Sequence, residues 1–377
     1  MKIGIDARFI FPDRIHGIGR YSYQLIQHLA LIDQKNEYLV FKNPSYKKRL
    51  SNNENFREIP ITGHPISLRT LFDLSFRIKK EKIGVFHSLF PITPLLGGFK
   101  HIVTVHDMQA IKVKDFFSKH PFLIDQGLRL FHKISYSSAV RKADMIICNS
   151  DATRREFIEY YRIPEEKIVT VYHGIEDRFR ILDDEQTKEA FRKKYHLPSR
   201  FILNVGNTKP HKNVLVLLKS FSHFLKMHNQ FQDVYLVIAG VEDKFLKDIQ
   251  QLSENVHISN KVIFLGYVPD DDLPELYNCA ELFIIVSVHE GFGFPLLESM
   301  ACGTPVIAAR AGALPEITGG AGLMVDPYDV QSVGEAIYAL LNNHQLQSIL
   351  REKGLKRCRF FSWQRAARET FNLYQRI

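Results

Sequence analysis

Cysteine is scarce in this 377-residue chain, and its placement excludes two classes at once. Cys148, Cys279, Cys302 and Cys358 are widely scattered, with no Cys-x-x-Cys pair and no metal-ligand spacing, so a reduced, cytoplasmic setting is expected. Long apolar runs are also missing: none approaches the roughly 20 residues that a membrane-spanning helix needs. The N-terminus, Met1-Lys2-Ile3-Gly4-Ile5-Asp6, runs straight into a strand pattern without secretory signal anatomy. There is no low-complexity tract or solenoid repeat. No Asp-x-Asp motif has a convincing strand-end placement, since Asp270-Asp271-Asp272 sits in a polar turn and reads as a helix N-terminus.

Negative charge is short in one half only. Residues 1–180 carry 29 Lys and Arg against 19 Asp and Glu, whereas residues 181–377 carry 21 against 22. The whole net charge of +9 therefore arises in the N-terminal half. Such asymmetry suits an anionic membrane, an acidic substrate, nucleic acid or simply a solvated surface. No nucleic-acid recognition motif or regular basic–aromatic platform is present, so nucleic acid is not expected as a partner. The stretch Lys112–Phe122 mixes cations with aromatics, as a segment that adsorbs to anionic lipid would.

What the chain does have is alternation. Strand-length apolar runs alternate with amphipathic stretches, which predicts α/β architecture with parallel sheets. Expected strands are 2–7, 38–42, 84–88, 101–106, 145–149, 168–172, 201–205, 234–239, 262–266, 282–287 and 306–309. Expected helices are 19–32, 68–80, 122–142, 152–161, 214–226, 244–254, 273–279, 295–302 and 329–341. The length is natural for two domains. We place a first Rossmann-like domain over 1–180, a charge-dense linker over 181–199 and a second domain over 200–357. Trp363, Ala366, Phe371 and Tyr374 are spaced for a terminal amphipathic helix within 358–377.

The most informative stretch is His289-Glu290-Gly291-Phe292-Gly293-Phe294-Pro295-Leu296-Leu297-Glu298, continuing to Met300-Ala301-Cys302-Gly303-Thr304-Pro305. A buried strand turns through Gly291 and Gly293 and re-enters as a short helix, with Pro295 at its start and Gly303 past its end. Amides at such a start receive phosphate oxygens, favoured by the helix dipole. Glu290 and Glu298 flank the turn as hydroxyl acceptors. A second motif, Asn204-Val205-Gly206-Asn207-Thr208-Lys209-Pro210-His211-Lys212-Asn213, joins a strand, a glycine, a cationic loop and a helix into a pyrophosphate cradle.

These two motifs resemble the donor-binding signature of retaining GT-B glycosyltransferases, and within them glycosyltransferase family 4. Ile5-Asp6-Ala7-Arg8, Gly17–Tyr21 and Gly206–Asn213 lean towards its mannosyltransferase-like branch. The resemblance implies a GT-B fold, with two Rossmann-like lobes, an interlobe active-site cleft and a C-terminal helix crossing back to the N-terminal lobe. It implies transfer of a hexose from a nucleotide-diphosphate sugar, with GDP-mannose favoured over UDP-sugars, to a glycan or lipid-diphosphate-linked acceptor. No cofactor or metal is expected.

Residue by residue, the resemblance assigns His106, Lys212 and Glu290 to catalysis, with Lys212 neutralising the diphosphate. Donor contacts are expected from Gly17, Gly19, Gly206, Asn207, Lys209, His211, Lys212, Val268, Gly291, Phe292, Gly293, Phe294, Leu297 and Glu298. Glu290 would hold sugar hydroxyls and Glu298 the ribose diol. The family often has Arg where this chain has Asn207, which leaves Lys209 and His211 as substitute cations. Gly17-Ile18-Gly19-Arg20-Tyr21 matches the loop by which the family approaches phosphate and acceptor, although Ser22 breaks the dinucleotide fingerprint. Arg20, Asp107 and Ser150 are acceptor candidates, Asp107 also as a group orienting His106, and His173-Gly174 is a further site candidate. Replacing Lys212, Glu290 or Glu298 by Ala should cut transfer and leave unfolding little changed. A GT-B epimerase or phosphorylase would share these lobes and remains the alternative.

Overall fold

The computed structural model describes residues 1–12, 17–63, 65, 67–94, 97–113, 122–241 and 243–377, so residues 114–121 of the basic–aromatic stretch lie outside it. The described chain falls into two compact units. One takes in residues up to 112, 122–174 and 361–377, and the other takes in 113 and 175–360.

In the first unit the elements run β1 (Lys2–Ala7), α1 (Gly17–Ile32), β2 (Glu37–Lys42), β3 (Phe56–Pro60), α2 (Leu68–Lys80), β4 (Val85–Ser88), β5 (Lys100–Val105), α3 (Gln109–Lys112), α4 (Phe122–Lys142), β6 (Met145–Cys148), α5 (Asp151–Tyr161) and β7 (Ile168–Thr170). Its described strands form one parallel sheet in the order β3-β2-β1-β4-β5-β6-β7. Strands such as β4 and β6 are buried at every position, because helices cover both faces.

The second unit continues with α6 (Glu185–Lys194), β8 (Phe201–Val205), α7 (Val214–Met227), β9 (Tyr235–Ala239), α8 (Asp243–Asn255), β10 (Val262–Leu265), α9 (Leu273–Cys279), β11 (Leu282–Ile285), α10 (Phe294–Ala301), β12 (Val306–Ala309), α11 (Leu314–Thr318), β13 (Leu323–Val325), α12 (Val330–Leu341) and α13 (His344–Cys358). Its strand order is β10-β9-β8-β11-β12-β13, again all parallel. Each unit is thus a Rossmann-like sheet whose order reverses once, between β1 and β4 and between β8 and β11. Crevices for ligands open at such reversals, beyond the carboxyl ends of the strands.

The C-terminal helix, Trp363–Arg376, belongs to the first unit and packs along α1. Ser362 caps it, and Ala366, Thr370, Leu373 and Tyr374 bury one stripe at helical spacing. The Tyr374 hydroxyl lies 2.7 Å from His87 Nδ1. Gly174 is fitted to this helix, because a Cβ there would lie 2.1 Å from the Trp363 backbone nitrogen.

Several elements depart from the sequence expectation. The segment 181–199 belongs to the second unit and holds α6, capped by Asp184 and laced by Arg192 pairs to Glu185 and Glu189. Edge strand β3 carries Arg57 and Glu58 in five residues, and β13 is three residues long. Neither offers the apolar run by which strands were recognised.

Candidate functional site

At the reversal in the second sheet, β8 and β11 pair through Ile202–Leu203 and Leu282–Phe283. Beyond that ladder the Asn204 amide donates to the Ile284 carbonyl at 2.8 Å and ties the two strand ends together. Two glycine turns follow. Gly206 has φ +152°, and its N–H donates to the Ala239 carbonyl at 2.9 Å. The loop then winds through the turn Pro210–Lys212, started by Pro210 and closed by Asn213 in the left-handed region at φ +58°. Asn213 donates to the Val286 and Pro327 carbonyls, at 3.1 and 2.5 Å, which pins this loop to the segments after β11 and after β13.

The result is one close pair. Lys212 Nζ donates to Glu290 Oε1 at 2.5 Å, with side chains 16% and 8% exposed. Burial alone would raise the Glu290 pKa, but the Lys212 charge and its hydrogen bond bring it below the usual range. His211 is itself buried, and burial beside Lys212 pushes it down to about 3. Its ring is therefore held neutral near pH 7, unlike the substitute cation expected of it, and Lys209 remains the other candidate. Asn207 closes the loop, accepting from the Lys209 N–H at 3.3 Å.

The turn into α10 differs in detail from the sequence reading. Gly293 is the N-cap residue at φ +98°, Phe294 opens the helix and Pro295 follows. The amides of Leu296 and Leu297 donate to the Gly293 carbonyl, at 3.1 and 3.2 Å, and the Leu297 side chain is core. Leu297 is therefore a packing residue, and backbone donation to a phosphate would have to come from Gly291–Phe294. Glu298 is 2% exposed, and the Tyr277 hydroxyl of α9 donates to its Oε2 at 2.8 Å. Val268 is buried in the loop after β10, with Tyr267 beside it 44% exposed.

Three residues that sequence reasoning missed hold these turns. A Cβ on Gly312, at φ +54°, would lie 2.4 Å from the Glu290 carbonyl oxygen, and Ala313 N–H donates to that oxygen at 2.9 Å. A Cβ on Gly240 would lie 2.9 Å from the Gly206 carbonyl oxygen. Tyr277 is the third. The available signal was positional, because Gly240 and Gly312 each stand just beyond a strand end, as Gly206 does.

The first unit gathers the other candidates around its own sheet. Past β1, the Arg8 guanidinium forks onto Asp6 with two 2.8 Å bonds. His106, just past β5, is held by Nε2 against the Leu89 carbonyl at 2.8 Å, and burial lowers its pKa to about 4. Tyr21 meets His106 edge-on at 5.0 Å, and His173 stacks on Trp363 at 5.6 Å. Asp107 accepts from the Gln109 N–H at 2.9 Å and starts α3, while the Leu89 carbonyl orients His106. The Ser150 hydroxyl is wholly buried as the N-cap of α5, accepting from Thr153 N–H at 3.1 Å, so it is a capping group rather than an acceptor contact. Gly17, Gly19 and Arg20 lie in the first turn of α1 itself, not in a loop ahead of it.

Among the described residues no group of three or more His, Cys, Asp or Glu could hold a metal ion, and no helix is long and apolar enough to cross a membrane. Asp272 is the N-cap residue of α9 but does not cap with its side chain. It pairs instead with Lys194 at 2.7 Å, and Asp271 pairs with Arg178 at 3.2 Å.

Comparison with known proteins places the chain in a family. The model for "Glycosyltransferase Family 4" matches residues 15–179, and that for "Glycosyl transferases group 1" matches residues 186–357. The chain is 28% identical over 375 residues to O-antigen chain mannosyltransferase B of Escherichia coli, covering 95% of this chain and 96% of that one. Sucrose-phosphate synthase of Thermosynechococcus elongatus shares the fold with a TM-score of 0.79 at 19% identity, covering 100% of this chain and 98% of that one. Anabaena HepE, crystallised with UDP, shares it with a TM-score of 0.75 at 17% identity over the full length of both. The two family matches together account for both units, and the chain, a glycosyltransferase of GT-B fold, belongs to glycosyltransferase family 4.

Proposed function

We propose that this enzyme transfers mannose from GDP-mannose, with retention and without a metal ion, to a glycan or lipid-diphosphate-linked acceptor in cell-surface polysaccharide synthesis. The observation that carries this reading is the buried Lys212–Glu290 pair at the carboxyl ends of β8 and β11. An ammonium group there can neutralise a departing diphosphate, as a divalent ion does in other transferases. Donor binding would exchange one oxyanion on Lys212 for another and release Glu290 towards the hydroxyls of the sugar. Glu298, steadied by Tyr277, would take the ribose diol, because a carboxylate is a directional anchor for two hydroxyls. Backbone N–H groups of Gly291–Phe294 would add to the phosphate cradle, with Gly206, Asn207 and Lys209 on its other side.

His106, neutral in its buried setting, would contact the transferred sugar, and Arg20 an anionic group of the acceptor. Retention would follow if the leaving phosphate oxygen takes the acceptor's proton on the face it departs from, with water excluded. The mannosyl and polysaccharide parts of the reading draw on the E. coli mannosyltransferase, and the nucleotide-diphosphate part on the HepE complex. A place at the inner face of the membrane would suit a lipid-carried acceptor.

The test is a thermal-shift panel of GDP, UDP, GDP-mannose and UDP-hexoses, with and without EDTA. A ligand at a hundred times its Kd should add about 2.7 kcal/mol to stability. GDP compounds should give the larger shift, unchanged by chelator. A larger shift with UDP compounds would overturn the choice of base, sensitivity to chelator the metal independence, and no shift with any compound the site itself.

A further inference from the structure

Fifteen large apolar side chains are exposed among the described residues, and five stand on two helices: Phe72 and Phe76 on α2, and Ile124, Leu130 and Ile134 on α4. The other ten fall one or two to an element or loop, as isolated surface apolars do. The two helices cover the same face of the first sheet. Leu74 and Ile78 of α2 pack with Phe86 of β4, whose register partner is His101 of β5. Side chains alternate along a strand, so Val103 and Val105 share the face of His101. Those two pack with Tyr136 and Ala139 of α4. The outward stripes of α2 and α4 therefore look out from one side of the unit.

Both stripes are basic as well as apolar. The two helices contain eight Lys and Arg against two Asp. Each Asp is matched by an Arg one turn on, Asp73 by Arg77 and Asp125 by Arg129, both at 3.0 Å. Lys79, Lys80, Lys133 and Arg141 remain exposed among the apolar side chains. Protein interfaces are depleted of lysine, and a second copy of the chain would bring like charges together. Nucleic acid would meet the charges but has nothing to receive Phe72, Phe76, Leu130 and Ile134. A bilayer interface with anionic headgroups answers both features, because acyl boundaries accept apolar side chains and phosphates accept cations.

We propose that the outer face of α2 and α4 is a docking surface for an anionic bilayer. As a choice of partner it rests on the lipid-linked acceptor reading above, while its test needs neither donor nor acceptor, so each can fail without the other.

The experiment is flotation of the full chain with vesicles of phosphatidylglycerol or of phosphatidylcholine, at low and high salt. Binding should require phosphatidylglycerol and fall about tenfold or more in high salt. Phe72→Ser with Phe76→Ser, and separately Lys79→Glu with Lys80→Glu, should each weaken it about tenfold. All four positions lie on the exposed stripe, so thermal midpoints should hold, and Leu31→Ser on α1 should leave binding unchanged. Absence of flotation at low salt would overturn the proposal, as would flotation indifferent to both double variants. Self-association that Phe72→Ser with Phe76→Ser abolishes, without vesicle binding, would assign the face to a second copy instead.

Discussion

Lys212 and Glu290 stand 78 positions apart in the chain and finish 2.5 Å apart, and that contact changes what their removal should do. Each was legible as a candidate because it sits in a glycine-marked turn after a strand. Their pairing was not, since it depends on β8 and β11 being sheet neighbours. Lys212→Ala and Glu290→Ala should each lower transfer more than about tenfold and, against the sequence expectation, destabilise by about 3 kcal/mol, because either leaves a buried partner uncompensated. Lys212→Met with Glu290→Leu should regain most of that stability and none of the activity, since apolar groups can replace such a pair at little cost. Initial rates and denaturant midpoints of the three variants check this; a double variant as unstable as the two singles combined would refute it. Burial also decided His211 and Ser150. A window of sequence shows their donors and charges, but not that one is held neutral and the other is turned into a helix cap.

Among the elements, those with a strong period or a fully apolar run were legible almost to the residue: β1, β8, β12, α2, α4 and α9 match their expected bounds. The unforeseen elements are those whose sequence carries little pattern. The charged helix α6 and the three-residue strand β13 are made by their neighbours rather than by propensity. The same holds for the turn after β12, which supports the candidate site from behind. Gly312→Ala combines a φ of +54° with a Cβ 2.4 Å from the Glu290 carbonyl oxygen, so the backbone must move. It should cost about 2 kcal/mol or more and weaken donor binding by about tenfold through the displaced Glu290. Calorimetric titration with the nucleotide, beside thermal unfolding, measures both; unchanged binding would show that the turn tolerates the methyl group.

At the scale of the molecule, acid should act first on the first unit. Burial lowers the pKa of His87 to about 3, of His101 and His106 to about 4, and of His173 well below its ordinary value. These rings are neutral in the fold, whereas in the unfolded chain they take up protons near pH 6.5. Their contribution is therefore complete above about pH 6.5 and declines as pH falls; it levels near pH 4 for His101 and His106, and lower for His87 and His173. Each can withdraw up to about 1.4 kcal/mol per pH unit in that window. Trp363 is the single tryptophan and stacks on His173, so its fluorescence follows this unit. Its thermal midpoint should drop steadily from pH 7 to pH 5, and a flat profile there would contradict the account.

The placement of Trp363–Arg376 carries one more consequence. Most of the first unit's polypeptide leaves the ribosome before the second unit does, yet the helix that covers His87 and His173 is translated only after it. A nascent chain can thus complete its second unit while the first still waits for its lid. For all of synthesis beyond Gly174, that open seam is what a chaperone or protease would meet.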